Sequence, residues 1–272
     1  MKLLVFSESD KASLNIAEKL MSLYRFERTD RLYRGKPVYR LELKGEEVLL
    51  VSLPGELVEA QYLEKDFKAS LVVFLSRHAS SSRMSTLSVH VPGNLGAETY
   101  GGLPYRVSIA PANAMKAALR KMNELNESKG LGFKVSYEAT HHGPSLNLPS
   151  MFVEIGSTER EWGNPEAGEV VAEAAMAAVS CDTDYPAALA LGGPHYNPKF
   201  TSLGLWEDIA PAHIVSKYSL TYVEDPSLLR NCVERTLEKV CMAVVDWKGV
   251  PGKLRSELIR RLRNMGLDIV RV

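Results

Sequence analysis

Apolar positions along the chain follow two rhythms that alternate from one end to the other. Continuous or period-two apolar runs predict strands over residues 2–6, 71–75, 86–91, 133–137, 151–155, 187–191, 214–218 and 241–245. Two further runs, 38–43 and 47–53, flank Lys44-Gly45-Glu46, where a glycine supplies the positive φ of a tight turn, and predict an antiparallel hairpin. Helical spacing fills the intervals at 10–24, 110–127, 165–181, 226–239 and 251–265, the last three opened by a proline, which suits a first helical turn. Asp10 or Ser9 caps the first helix, with Leu14, Ala17, Leu20, Met21 and Tyr24 on its inward face. Such alternation predicts an α/β fold, a mixed and mostly parallel sheet sandwiched by helices. No low-complexity linker, repeat or shift of composition divides the chain, so residues 1–272 are expected to form a single domain.

Composition agrees with this and narrows the partners. The 272 residues are 45% hydrophobic and 24% charged, enough to bury a core and too apolar for disorder. Thirty-three basic side chains balance 33 acidic ones, so a nucleic-acid partner would need a local basic patch rather than bulk charge. The opening segment is too short in apolar residues for a signal peptide, and the longest strictly apolar run, 174–179, cannot span a bilayer. A cytoplasmic protein is expected. Cys181, Cys232 and Cys241 form no C-x-x-C pair and read as reduced core residues. G-x-G-x-x-G, the Walker loop, G-x-S-x-G and H-E-x-x-H are all missing from the sequence.

The histidines carry the first chemical signal. Five of six follow a strand: His78, His90, the adjacent His141 and His142 after Val135-Ser136-Tyr137-Glu138-Ala139-Thr140, and His195 after Gly192-Gly193-Pro194. If these strands are parallel, all five converge at the carboxyl edge of the sheet, where α/β folds bind ligands. His213 precedes its strand and belongs at the opposite edge as a structural residue. Imidazole serves as metal ligand and as acid or base near neutrality, so the cluster points to hydrolytic or transfer chemistry. On an extended chain His141 and His142 would face opposite ways, one toward a ligand and the other toward a neighbour. Glu154, a charge inside an apolar strand, needs a partner if buried. Glu98 sits in a glycine-rich loop and reads as a solvated charge.

Taken together, Ser76-Arg77-His78, His90-Val91-Pro92-Gly93-Asn94, Thr140-His141-His142-Gly143-Pro144-Ser145, Glu154-Ile155-Gly156-Ser157-Thr158 with Trp162, and Gly192-Gly193-Pro194-His195-Tyr196 resemble the archaeal and plant type of D-aminoacyl-tRNA deacylase. The resemblance runs from the first strand to His195 and is weaker beyond Tyr196. It implies hydrolysis of the ester between a D-amino acid and the 3′ end of tRNA, dependence on zinc, and a fold similar to nucleoside phosphorylases and peptidyl-tRNA hydrolases.

On that basis a zinc ion is expected on histidines among the five. His78, His90 and His141 are taken as ligands, and His142, Glu154 and His195 as catalytic. Arg77, Asn94, Gly143, Trp162, Gly193 and Tyr196 are taken as substrate contacts. Backbone N–H groups of the Gly143 and Gly192-Gly193 loops are expected to stabilise an oxyanion. Tyr100, Tyr105, Trp162 and Tyr196 offer rings for the terminal adenine. Basic patches are expected at Arg77, Arg83 and Arg106, and over the C-terminal segment, where Lys253, Arg255, Arg260, Arg261, Arg263 and Arg271 outnumber Glu257 and Asp268. A peptidyl-tRNA hydrolase, a nucleoside phosphorylase-like enzyme and a non-catalytic tRNA-binding module are the alternatives.

Overall fold

The structure is a computed structural model that describes residues 1–222 and 225–272. At its centre is β1 (Lys2–Ser7), whose apolar run pairs in parallel with β4 (Glu46–Leu53) on one side and β5 (Leu71–Ala79) on the other. The expected hairpin joins β3 (Lys36–Leu43) to β4, with Lys44 and Gly45 both at positive φ. It is prolonged outward by β2 (Glu27–Tyr33), a polar, exposed strand with no apolar alternation to betray it. Beyond β5 lie β10 (Ser150–Ser157), β6 (Thr86–His90) and β9 (Lys134–Tyr137), in the order β2-β3-β4-β1-β5-β10-β6-β9. Between them, β7 (Gly93–Asn94) and β8 (Arg106–Val107) make a two-stranded ribbon.

A second, all-parallel sheet has the order β12-β11-β13-β14, formed by β11 (Ala187–Leu191), β12 (Ala210–Val215), β13 (Val240–Val245) and β14 (Asp268–Arg271). The expected mixed, mostly parallel strands sandwiched by helices are thus present, divided between an eight-stranded and a four-stranded sheet besides the ribbon. A shared hydrophobic core joins them, running from Leu4 and Val73 through α3 (Ala112–Ser128) and α5 (Pro165–Val179) to Ala190 and Val244. A smaller core on the other face of the large sheet packs Leu3, Val5, Phe74 and Phe152 under the 3-10 turn Leu57–Tyr62 and the single helical turn α2 (Leu63–Asp66). The functional side chains lie on this second face.

Several local expectations need correction. In α1 (Lys11–Leu23), Asp10 is the N-cap, but the buried stripe is Ala12, Ser13, Ile16, Ala17 and Leu20, while Leu14 and Met21 are exposed. β12 starts at Ala210 rather than 214, because it is an edge strand and an edge tolerates Pro211. His213 therefore lies inside that strand. It is buried, its ring nitrogens facing Thr140 Oγ1 (3.2 Å) and the Arg235 carbonyl (3.0 Å), and burial holds it neutral with a pKa of about 4. The helix expected to run to 239 is α7 (Pro226–Glu234); Arg235 turns inward to donate to the carbonyls of Val107 and Leu146. Of the cysteines only Cys232 is buried, and all three are free.

The remaining helices are α4 (Glu159–Trp162), α6 (Pro198–Trp206) and α8 (Gly252–Asn264), and among the described residues none is long and apolar enough to cross a membrane. Lys116, on α3, is buried and donates to the carbonyls of Gly204 (2.8 Å) and Ile209 (2.9 Å) and to that of Glu207, closing the C-terminal end of α6. Burial lowers its pKa to about 8, so the ammonium persists at neutral pH and complements the helix carbonyls. Lys116→Met strips the Ile209 carbonyl of its donor, leaves those of Gly204 and Glu207 to Arg120, and is expected to cost about 1–3 kcal/mol, read by urea unfolding at pH 7. A loss within error would refute the capping role.

Candidate active site

The direction of β6 decides how the histidines meet. It runs antiparallel to β10, so His90 is opposite Phe152, whereas His78 on parallel β5 is opposite Gly156, with Glu154 between them on the same face. Convergence is real, but it occurs over the face of the sheet from strands of both directions, not at one shared carboxyl edge. Gly156 permits it: a Cβ there would lie 2.4 Å from Thr86 Oγ1 and 3.2 Å from the Cβ of His78.

Two buried carboxylates organise the centre. Glu154 Oε2 lies 3.5 Å from His78 Nδ1 and 3.6 Å from His90 Nε2. Glu138, absent from the sequence-based candidates, is 1% exposed and sits 2.9 Å from His195 Nε2, 3.2 Å from His78 Nδ1 and 3.6 Å from His141 Nε2. Its signal was its position, a carboxylate at a strand end three residues before a histidine pair. Burial alone would raise both acids. The imidazoles of His195 and His78 instead hold Glu138 well below the usual range, and those of His78 and His90 bring Glu154 to about 2. Since a carboxylate only accepts, His195 carries its proton on Nε2.

Imidazoles divide according to their neighbours. Burial opposes protonation of His78, but Glu138 and Glu154 outweigh it and push the pKa up to about 10. Its other nitrogen meets the Tyr196 hydroxyl at 2.5 Å, and its carbonyl accepts from Trp162 Nε1 at 3.1 Å. His90 is likewise raised, burial being outweighed by Glu154. Burial and the adjacent imidazoles push His141 well below its ordinary value, and burial with His90 brings His142 down to about 4.

His141 and His142 both reach the centre, with ring centroids 4.2 Å apart and 4.3 and 4.8 Å from that of His90. The extended-chain expectation fails because His142 adopts φ +39°, which turns its side chain to the face of its neighbour. The ligand atoms of His90, His141 and His142 lie within 4.8 Å of one another, and this trio, rather than His78, His90 and His141, is the all-histidine grouping. Both nitrogens of His78 are already engaged by Glu138, Glu154 and Tyr196. In the trio each Nδ1 faces a carbonyl, those of Val91 (3.3 Å), Ala139 (2.8 Å) and Gly143 (2.7 Å). That pattern puts the hydrogen on Nδ1 and the lone pair on Nε2, as in a metal-ligating histidine. His90 Nε2 is buried and has no hydrogen-bond partner. The donor set fits zinc.

Other expected site residues divide between wall and scaffold. Arg77 lines the cleft and grips Glu56 through two contacts of 2.9 and 3.1 Å, with Trp162 5.8 Å from its guanidinium. Asn94 donates to the carbonyls of Gly101 (2.8 Å) and Leu103 (3.2 Å) and so anchors the Tyr100 loop. Gly193 is buried against Asn197 and Asp246 and does not line the cleft. The expected oxyanion donors are spent: the N–H groups of Gly143, Gly192 and Gly193 already bond to the carbonyls of Tyr100, Val215 and Gly249. Gly143 instead serves close packing, since a Cβ there would stand 2.3 Å from the Gly101-Gly102 peptide.

Among the described residues, two clefts open on the cluster. One of about 330 Å³ holds Asp10, Glu56, Arg77, His78, Glu154 and His195. The other, of about 440 Å³, holds Asn94, Gly96, Glu98, Ser219 and Tyr222. Tyr100, His141 and His142 belong to both.

Paired buried carboxylates, imidazoles whose pKa values are pushed in opposite directions and a trio of histidines with converging Nε2 atoms, set over a mixed sheet where two clefts meet, make a centre equipped for hydrolysis. A family model described as D-aminoacyl-tRNA deacylase matches residues 65–270. Proteins named D-aminoacyl-tRNA deacylase from Thermococcus onnurineus and Pyrococcus furiosus are 41% and 40% identical, each alignment covering all of both chains. One from Methanosarcina barkeri is 34% identical over 98% of this chain and 88% of its own. The chain belongs to the D-aminoacyl-tRNA deacylase family. A crystal structure of a conserved protein of unknown function superposes with a TM-score of 0.88 and 30% identity, covering 100% of this chain and 95% of that one. A methylthioadenosine/S-adenosylhomocysteine nucleosidase from Campylobacter jejuni reaches only 0.46 at 11% identity over 66% of this chain and 99% of its own, too slight a likeness to bear on fold or chemistry.

In metal-free protein, nuclear magnetic resonance is expected to find His78 still protonated at pH 8 and His142 neutral down to about pH 5. Because the folded pKa of His78 is raised, its contribution to stability is full below 6.5 and is lost as pH rises through about 10. Glu154→Gln should bring His78 back toward 6.5; titration of the unaltered protein near that value would refute the pairing.

Proposed function

We propose that this chain hydrolyses the ester joining a D-amino acid to the 3′ end of tRNA and releases both, and that the histidine–carboxylate cluster does the chemistry. Family membership carries the reaction class. Five imidazoles and two buried carboxylates, meeting where two clefts share a wall, support the place.

His90, His141 and His142 would hold the zinc ion. When bound, zinc supplies Lewis-acid polarisation and lowers the pKa of water toward about 7. Holding it requires His90 to give up the proton that Glu154 favours, so loading releases a proton. Glu138 fixes His195 with its Nε2–H directed at the carboxylate. The Nδ1 lone pair of His195 is then the basic position that accepts a proton from the attacking water. His78, kept charged by Glu138 and Glu154, donates through Nε2 to the Tyr196 hydroxyl, and the proton returned to the departing ribose oxygen passes through that hydroxyl. Tyr196 and Trp162 hold that ring and its backbone in place. Contact with tRNA is confined in this reading to the aminoacylated end, which suits a chain of zero net charge.

Two measurements test this. Purified protein is expected to hydrolyse D-tyrosyl-tRNA and to spare L-tyrosyl-tRNA and N-acetyl-aminoacyl-tRNA; equal rates on both enantiomers would sink the chiral assignment. Glu138→Gln should lower kcat by about a hundredfold or more without unfolding the chain. Protein prepared without a histidine tag is expected to carry zinc at about one ion per chain, as a three-histidine site would. His141→Ala should lose it, and a metal content unchanged by that substitution would move the ion elsewhere.

A further inference from the structure

We infer that the two clefts divide the substrate between them: the aminoacyl group enters the cleft lined by Asp10, Glu56 and Glu154, and the terminal adenosine enters the one rimmed by Tyr222. The ester then lies at their common wall, against His141 and His142. This rests on the deacylase reading and adds the orientation in which the substrate binds.

Charge separates the two spaces. Three carboxylates face the first cleft, against the cations Arg77 and His78. Arg77 is tied to both oxygens of Glu56, and Asp10 is occupied chiefly with backbone amides, Oδ1 with those of Ala12 and Ser13 and Oδ2 with that of Arg77. Glu154 is different. It is 2% exposed, it lines the cleft, and its buried Oε2 has the 3.5 and 3.6 Å approaches of His78 and His90 but no hydrogen bond. An α-ammonium group brings three donors and no acceptor, so it suits such a wall, whereas a phosphate would be repelled. The ammonium of an aminoacyl ester is also only two bonds from the carbonyl carbon. Its site must therefore adjoin the reacting centre, as Glu154 does at 3.6 Å from His90.

Among the described residues the second cleft has a single carboxylate, Glu98, which is exposed. Its rim is aromatic: Tyr222 is 40% exposed and its ring lies over Gly96, where a Cβ would come within 2.7 Å of Cζ. A ring braced on backbone is a rigid platform for a base, and stacking of this kind accepts an adenine without needing charge.

The test compares D-phenylalanyl-tRNA with its D-phenyllactyl analogue, in which a hydroxyl replaces the ammonium. The unaltered enzyme is expected to favour the aminoacyl ester by about tenfold in kcat/KM, a gap that Glu154→Gln narrows to about threefold, read as the ratio of the two esters so that a general loss of rate leaves it unmoved. Glu56 is partly exposed, so Glu56→Gln keeps the fold if the buried substitution does not, and by removing a charge from the same wall it should narrow the gap by a smaller factor. Tyr222→Ala should keep that gap, raise KM for both esters about tenfold, and weaken adenosine binding by calorimetry to the same degree. Acid variants that leave the gap untouched, or a Tyr222→Ala protein that binds adenosine normally, would overturn the assignment while leaving the deacylase reading standing. An unaltered protein inactive on D-phenylalanyl-tRNA would overturn both.

Discussion

Burial of Glu138 and Glu154 is the constraint on which the rest of the site depends. A lone carboxylate at such depth would cost several kcal/mol and would respond by taking up a proton. Here each remains ionised because imidazoles from different elements converge on it: His78 from β5, His90 from β6, His141 and His195 from loops. Those imidazoles are themselves fixed, by Trp162 and Tyr196 for His78 and by backbone carbonyls for His90, His141 and His142. The electrostatic demand of two acids therefore ties both sheets and two loops into one arrangement.

Much of the architecture was legible because buried strands are apolar. β1, β5, β10, β11 and β13 are runs of Val, Leu, Ile and Ala, and the hairpin at Lys44-Gly45 carries its turn chemistry in plain view. β2 escaped notice because an exposed strand held by backbone bonds needs no apolar pattern, and the start of β12 did so because Pro211 normally argues against a strand. Strand direction was not encoded locally at all. Nothing within Thr86–His90 says that it opposes Ser150–Ser157; that follows from how the chain between them crosses the fold.

At the site, the histidines could be found by their place after strands, yet their division of labour could not. It depends on atoms that meet only in three dimensions: Glu138 against His195, Tyr196 against His78, and the left-handed turn at His142 that brings two neighbouring rings to one side. Glycines misled in a different way. Gly143 and Gly193 suggested backbone reaching for a ligand, but both serve close packing of one loop on another.

The commitment of those glycine amides has a bearing on how the protein tolerates change. A site built on main-chain donors keeps them whatever side chains are exchanged, and so retains some catalysis after almost any substitution. In this cluster the charges and donors belong to side chains, and the main chain is already occupied with holding loops together. A single replacement in the cluster can therefore remove a charge or a donor that no main-chain group replaces, while the fold stands.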